Sequence, residues 1–379
     1  VIRISNQFLL NSKIIFDQGS LSLLSKIKGH KALVISDGIL EKLGYLKQVT
    51  DYLKEAGIES VTFTDVKPDP DTKVIAAGMQ LYLQTLPDVM VAIGGGSAID
   101  AAKGIFYTAQ QMSAEPIKKP YFVAVPTTSG TGSEVTDFSV ITAEDQKVVI
   151  VDEMLAPDLA ILDSDCVSSV PAKVVVDAGL DVLTHATEAY VSKNANDFTD
   201  ALAEKAIKLI FEYLPQVYQD IHNDNARNHV HNASCLAGIA FNNAGLGIIH
   251  SLAHALGGRF HIAHGRCNAL LIEHVIQYNA ELCGSANNQA AEKYAKLAEI
   301  LQLPARTTRE GVVNYLDAIA KLKKSLKVET SFKALISDEA SYCQAIGEMT
   351  EGAMLDRCTP TNPIAPTAEA LATIYKKAF

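Results

Sequence analysis

The chain has 379 residues, more than one ordinary hydrophobic core organises, so two domains are expected, each large enough to hold a pocket and with a cleft between them. Hydrophobic residues make up 48% and charged residues 20%, with a mean hydropathy of +0.12, which excludes a disordered or fibrous chain. A net charge of -10 with no basic run excludes nucleic acid or an anionic membrane as the main partner.

The opening "VIRISNQFLLNSKIIFDQGSL" lacks the uninterrupted apolar core of a secretory leader, and no apolar run later reaches the roughly 20 residues a bilayer span needs. Six cysteines (166, 235, 267, 283, 343 and 358) are scattered without a CxxC pair. A reducing, cytoplasmic setting is the expectation.

Along the first part, "KALVISD" (31 to 37), "DVMVAIGGG" (88 to 96), "YFVAVPTTS" (121 to 129) and "DLAILDSD" (158 to 165) read as buried strands that end in Gly, Asp, Ser or Thr. Between the first two, "DTKVIAAGMQLYLQTL" reads as a helix started by Asp71. Apolar strands separated by helices predict a Rossmann-like parallel α/β sheet with ligands at the carboxyl ends of its strands. Asp37, at one such end, either accepts hydrogen bonds from ribose hydroxyls, repelling a 2′-phosphate, or simply forms the turn. In "VAIGGGSAIDAAKGI", Gly94, Gly95 and Gly96 let backbone N–H groups approach an anion at the start of a helix, as a pyrophosphate cradle or as a tight turn. "VPTTSGTGSEVT" then offers the hydroxyls of Thr127, Thr128, Ser129, Thr131 and Ser133 as the opposite wall of a cofactor groove.

From about residue 172 the texture becomes helical, as in "DFTDALAEKAIKLIFEYLPQVYQDI" and "NNQAAEKYAKLAEILQL". The predicted division is residues 1–172, an α/β nucleotide-binding domain, and 173–379, an all-α domain. In "GLDVLTHATEAY" Asp181 and His185 stand four apart on one helical face, either as a satisfied polar pair or as half of a metal site. The stretch "GLGIIHSLAHALGGRFHIAHGRCNAL" adds His250, His254, His261 and His264 within fifteen residues. His250 and His254 share a face, and His264 precedes a glycine where the chain is expected to turn back. One carboxylate with several neutral imidazoles suits Fe²⁺ or Zn²⁺ far better than Mg²⁺ or Ca²⁺.

"GGGSAIDAAK", "PTTSGTGSEVT", "GLDVLTHATEAYVS", "GLGIIHSLAHALGGRFHIAHGRCNA" and "CTPTNP" succeed one another as in the iron-containing (group III) alcohol dehydrogenase family, which the chain resembles over its whole length. The resemblance implies the dehydroquinate synthase-like architecture of that family, with Asp181, His185, His250 and His264 as metal ligands and His254 beside the substrate. It also implies that Gly94, Gly95, Gly96 and Ser97 hold the pyrophosphate, that Thr127, Thr128 and Thr131 lie on the nicotinamide side, that Lys147 reaches the cofactor, and that Asp37 goes with NAD. "NDFTDALAEKAIKLIFEYLP" and "HNASCLAGIAF" look most like microcompartment-associated 1-propanol dehydrogenases, and next like the reductase half of bifunctional aldehyde–alcohol dehydrogenases. Three departures stand out: Ala263 and Gly265 frame the last ligand, Arg266-Cys267 fills a spot more often small and apolar, and Asp69 in "PDPD" replaces part of a PNPT pattern. The first two bear on substrate fit and the third on a ribose contact.

By this resemblance the chain is expected to be an NAD-dependent, iron- or zinc-dependent oxidoreductase acting on short primary alcohols and aldehydes. It is then also expected to be a homo-oligomer, a dimer, that works in the cytoplasm or inside a bacterial microcompartment with shell or enzyme partners. Two alternatives are a polyol dehydrogenase of the same family and a metal- and NAD-using lyase of dehydroquinate-synthase type. The lyase calls for Lys and Arg around the metal, where the sequence offers Arg259 and Arg266.

Overall fold

The computed structural model describes residues 7–144 and 146–379; residues 1–6, which open the segment considered for a leader, and residue 145 lie outside it. The chain divides into two compact units after Val170.

The first unit is a six-stranded sheet in the order β1-β8-β5-β4-β2-β3, parallel at every pairing. Its strands are β1 (Lys13–Phe16), β2 (Lys31–Asp37), β3 (Glu59–Val66), β4 (Val89–Gly94), β5 (Tyr121–Pro126) and β8 (Leu159–Leu162), while β6 (Phe138–Ala143) and β7 (Gln146–Val151) form a separate antiparallel ribbon. Four helices accompany them: α1 (Gly38–Lys42), α2 (Tyr45–Glu55), α3 (Thr72–Thr85) and α4 (Gly96–Met112). The continuous apolar runs of β2 and β4 have the reason anticipated for them, burial on both faces. Val34, Val91 and Ile93 pack on one side with Leu46, Val49 and Leu53 of α2. Leu33, Ile35 and Ala92 pack on the other with Ile75 and Tyr82 of α3 and Ile105 of α4. Asp71 caps α3, its carboxylate accepting from the N–H groups of Lys73 (3.0 Å) and Val74 (2.9 Å).

The chain leaves β2 for β3 on one side, and β4 pairs with β2 on the other. At such a reversal the loops after the two strands diverge and leave a crevice at their carboxyl ends. Those ends carry Asp37 and Gly94.

The second unit contains only helices and short turns among its described residues: α5 (Ala172–Val191), α6 (Asp197–Gln219), α7 (Asp224–Ala244), α8 (Ile248–Phe260), α9 (His264–Asn279), α10 (Gln289–Ile300), α11 (Thr308–Ser325), α12 (Glu339–Leu355) and α13 (Ala368–Ala378). Helix α5 is its centre, buried on every side from Gly179 to Val191, which explains why its polar residues sit where a surface helix would have its apolar stripe. Gly179 lets α6 approach, since a Cβ there would lie 2.5 Å from Leu214. Among the described residues no single helix is long and apolar enough to cross a membrane; α7 and α8 pass that test only as a pair bent by 106°.

Candidate active site

Asp181, His185 and Glu188 succeed one another on a single buried face of α5. His250 comes from the first turn of α8, and His264 opens α9. Asp181 Oδ1 lies 3.6 Å from His250 Nε2, 3.6 Å from His264 Nε2 and 3.9 Å from His185 Nε2. The donor atoms of Asp181, His250 and His264 all fall within 4.8 Å of one another, and His185 stands just outside this trio, its ring stacked between Phe241 (4.5 Å) and His250 (4.6 Å). Donors held about 2.1 Å from one ion are separated by roughly 3–4 Å, so these spacings match a shared ion.

The amide Nδ2 of Asn268 donates to Asp181 Oδ1 at 2.6 Å and faces the Nε2 atoms of His250 and His264 at 3.2 Å each. Both imidazole Nε2 atoms thus face the same point. A carboxylate with imidazole lone pairs is the donor set of a divalent transition ion, and the residues present therefore fit one. The electrostatics of the two imidazoles differ: the site favours the neutral form at His264 and the protonated form at His250, which would release its Nε2 proton on binding a metal. Burial opposes ionisation of Asp181, but the His185, His264 and His250 imidazoles outweigh it and hold the carboxyl well below its usual range. Burial, reinforced by the neighbouring histidines against the pull of Asp181, pushes His264 down to about 3. At His250 burial is overcome by Glu188 and Asp181, which raise it to about 9.

The expected turn after His264 is instead made before it. His261 closes α8 in the left-handed conformation (φ 54°), so that His264 already begins a helix. Gly265 serves a close approach: a Cβ there would lie 2.1 Å from the Asp177 carbonyl oxygen on α5. Arg266 is likewise corrected from a substrate-side position to a buried ion pair. Its Nε donates to Asp177 Oδ1 at 2.5 Å, and another guanidinium nitrogen donates to Glu329. Arg259 turns its Nε to Glu348 at 3.9 Å. His254 is exposed, stacked on His264 at 5.1 Å, with Nδ1 2.8 Å from Asp356 Oδ2.

In the first unit, Gly94, Gly95 and Gly96 link β4 to α4. Gly94 has φ 157°, and a Cβ on it would meet Ala98 at 2.4 Å; a Cβ on Gly96 would meet the Thr131 side chain at 2.8 Å. A Cβ on Gly95 would make only an ordinary 3.4 Å contact with Thr128, and the Thr127 N–H donates to the Gly94 carbonyl at 2.9 Å. No side chain caps the start of α4, and Gly94 and Gly96 leave no room there for a side chain, an arrangement that fits a pyrophosphate. Of the two roles left open for Asp37, the structure shows the turn-forming one. Its Oδ1 accepts from the Ile39 (2.9 Å) and Leu40 (3.0 Å) amides, while Oδ2 would be 3.8 Å from a Cβ on Gly94. Ser97 Oγ accepts from the Asp69 amide at 3.3 Å, and Lys147, on β7, forms an ion pair with the Asp69 carboxylate.

Glu188, Asn268, Asp356 and Asn362 join the site without having been expected there. Two carried a signal, since Glu188 is three residues after His185 and Asn268 four after His264, each on the same helical face as its neighbour. "CTPTNP" proves to be a brace for α8: Thr359 Oγ1 donates to Ser251 Oγ (2.8 Å), Thr361 Oγ1 to the Leu246 carbonyl (2.6 Å), and Asn362 Oδ1 accepts from the Ile248 amide (3.2 Å).

Family models match at residues 11–164 (iron-containing alcohol dehydrogenase) and 175–379 (Fe-containing alcohol dehydrogenase family, C-terminal). The chain is 40% identical over 374 residues to a 1-propanol dehydrogenase, PduQ, of Citrobacter freundii, covering 98% of this chain and 99% of that one. It is 39% identical over 372 residues to an NADPH-dependent butanol dehydrogenase of Clostridium saccharobutylicum, covering 94% of each. It is also 38% identical over 404 residues to aldehyde-alcohol dehydrogenase 2 of Entamoeba histolytica, where 98% of this chain spans 46%, about half, of the relative's length. Among solved structures, a 1,3-propanediol oxidoreductase superposes with a TM-score of 0.91 at 33% identity over 100% of both chains.

Proposed function

The chain belongs to the iron-containing alcohol dehydrogenase family, and on that premise we propose that it interconverts short primary alcohols and aldehydes of the ethanol, propanol and butanol class, using NAD and a divalent metal. Asp181, His185, His250 and His264 hold the metal, and the convergence of the Asp181, His250 and His264 donor atoms, with His185 Nε2 3.9 Å from Asp181 Oδ1, is the observation that carries the reading. When bound, the ion supplies Lewis-acid polarisation of the substrate oxygen and the nicotinamide supplies or takes the hydride.

The chain's own groups do the rest. The amides at the start of α4, between Gly94 and Ser97, bind the pyrophosphate, with Thr127, Thr128 and Thr131 walling the loop. Asp37 accepts from ribose hydroxyls with Oδ2 and repels a 2′-phosphate, which favours NAD although one relative takes NADPH. Lys147, held at Asp69, reaches toward the same cofactor. His254 has Nδ1 on Asp356, which leaves Nε2 to accept or return the proton of the alcohol.

Arg266 is committed to the carboxylates of Asp177 and Glu329, and Arg259 lies exposed with Glu348 3.9 Å from its Nε. A substrate carrying phosphate or carboxylate lacks Arg266 as an anchor, which disfavours the lyase. Apolar chains of a few carbons gain about 0.8 kcal/mol per buried CH₂ instead. The test is kcat/KM for 1-propanol, 1-butanol and glycerol, each with NAD and NADP, alongside metal analysis. The expected order is butanol or propanol above glycerol and NAD above NADP, in protein that contains iron or zinc. Glycerol ahead of both would support the polyol reading that the 1,3-propanediol oxidoreductase likeness suggests. The likeness to 1-propanol dehydrogenases suggests work inside a bacterial microcompartment or free in the cytoplasm, settings that co-fractionation with shell proteins separates, and the proposed dimer is tested by sedimentation of the purified protein.

A further inference from the structure

The ligand helices need something to hold them in register, and one buried side chain on α5 reaches α8 at two points. Glu188 is 3% exposed and lies on α5, one turn beyond His185. Its Oε2 is 2.6 Å from His250 Nδ1, and its Oε1 accepts from the Ile249 amide at 2.6 Å. Helix α8 starts at Gly247 with no side-chain cap of its own, so the carboxylate from α5 serves as its cap, beside Asn362 Oδ1 on the Ile248 amide. The fit is close: a Cβ on Gly247 would lie 2.8 Å from both Glu188 Oε1 and Asn362 Oδ1.

We propose that Glu188 is the positioning residue of the metal centre. By accepting the Nδ1 proton it fixes the His250 ring so that Nε2 presents its lone pair beside Asp181, and by capping α8 it sets that ring's distance from the ligands of α5. Metal-ligating imidazoles commonly rest on such a carboxylate, and its loss typically costs 10–100-fold in metal affinity. Glutamine at this position keeps an oxygen for one donor and sets an N–H₂ against the other, so the two contacts cannot both survive.

This role rests on the metal reading of the site, and the test separates the two. Wild-type and Glu188→Gln proteins, stripped of metal, are titrated with Zn²⁺ against a competing chelator, and the Tm of each metal-free protein is recorded. The expected result is a Zn²⁺ affinity 10–100-fold weaker in the variant, with the Tm of the metal-free form changed far less than the affinity implies. Wild-type affinity in the variant overturns the proposal while leaving the metal site standing; failure of the wild type to bind overturns the metal reading itself. Should the variant not fold, ¹⁵N NMR of the Zn²⁺-loaded wild type decides: a protonated Nδ1 on His250 supports the proposal, and a protonated Nε2 refutes it.

Discussion

At the scale of single residues, His264 and His254 lie in stacked contact, yet their substitution separates two roles. Removing His264 with Ala takes one donor from the proposed set of four, so bound metal and turnover are both expected to be lost. His254→Ala is expected to keep its metal and lose roughly 10²-fold or more in kcat. Metal analysis beside steady-state rates checks the pair; metal loss in His254→Ala would mean that the ligands are assigned wrongly. The spacing of Asp181 with His185 was legible because a helix repeats its face every three to four residues. The histidine cluster pointed to a metal site with them, but the choice of His250 and His264 as the ligands came through family resemblance, since periodicity says nothing about contacts between helices. Arg266 shows the same limit: its partners Asp177 and Glu329 are 89 and 63 residues away, so only the fold reveals a buried pair.

Among the elements, the central strands β2, β4, β5 and β8 were readable because burial on both faces leaves continuous apolar runs. Strand β3 was not, since "ESVTFTDV" alternates at an edge, and neither was the ribbon of β6 and β7, whose pairing is local and whose chain carries charged residues. Glycines inside helices were equally opaque, and the structure gives two of them opposite signs. Gly347, within α12, has open space where a Cβ would go, so Gly347→Ala is expected to stabilise by about 0.5–1 kcal/mol through helix propensity. Gly265→Ala forces a methyl group against α5 backbone and is expected to cost about 1–3 kcal/mol, parting the helices that carry Asp181 and His264. Thermal denaturation of the two variants, at roughly 2–4 °C per kcal/mol, checks the contrast.

For the whole molecule, the proposed nucleotide loop belongs entirely to the first unit and the proposed metal ligands entirely to the second. A ligand that binds only the folded form stabilises by RT ln(1 + [L]/Kd), about 2.7 kcal/mol at a hundredfold excess over Kd. Calorimetric scans are therefore expected to show Zn²⁺ raising one transition and NAD the other. A single peak moved equally by both would show the units melting together. The three helices that supply the metal donors are joined by 56 residues between α5 and α8 but only 3 between α8 and α9. An ion held by all three closes that long excursion as a cross-link would, shrinking the freedom of the intervening chain. Metal starvation would then act on this protein twice, as inhibition and as a loss of abundance, because a chain without that closure is expected to open more often to proteases.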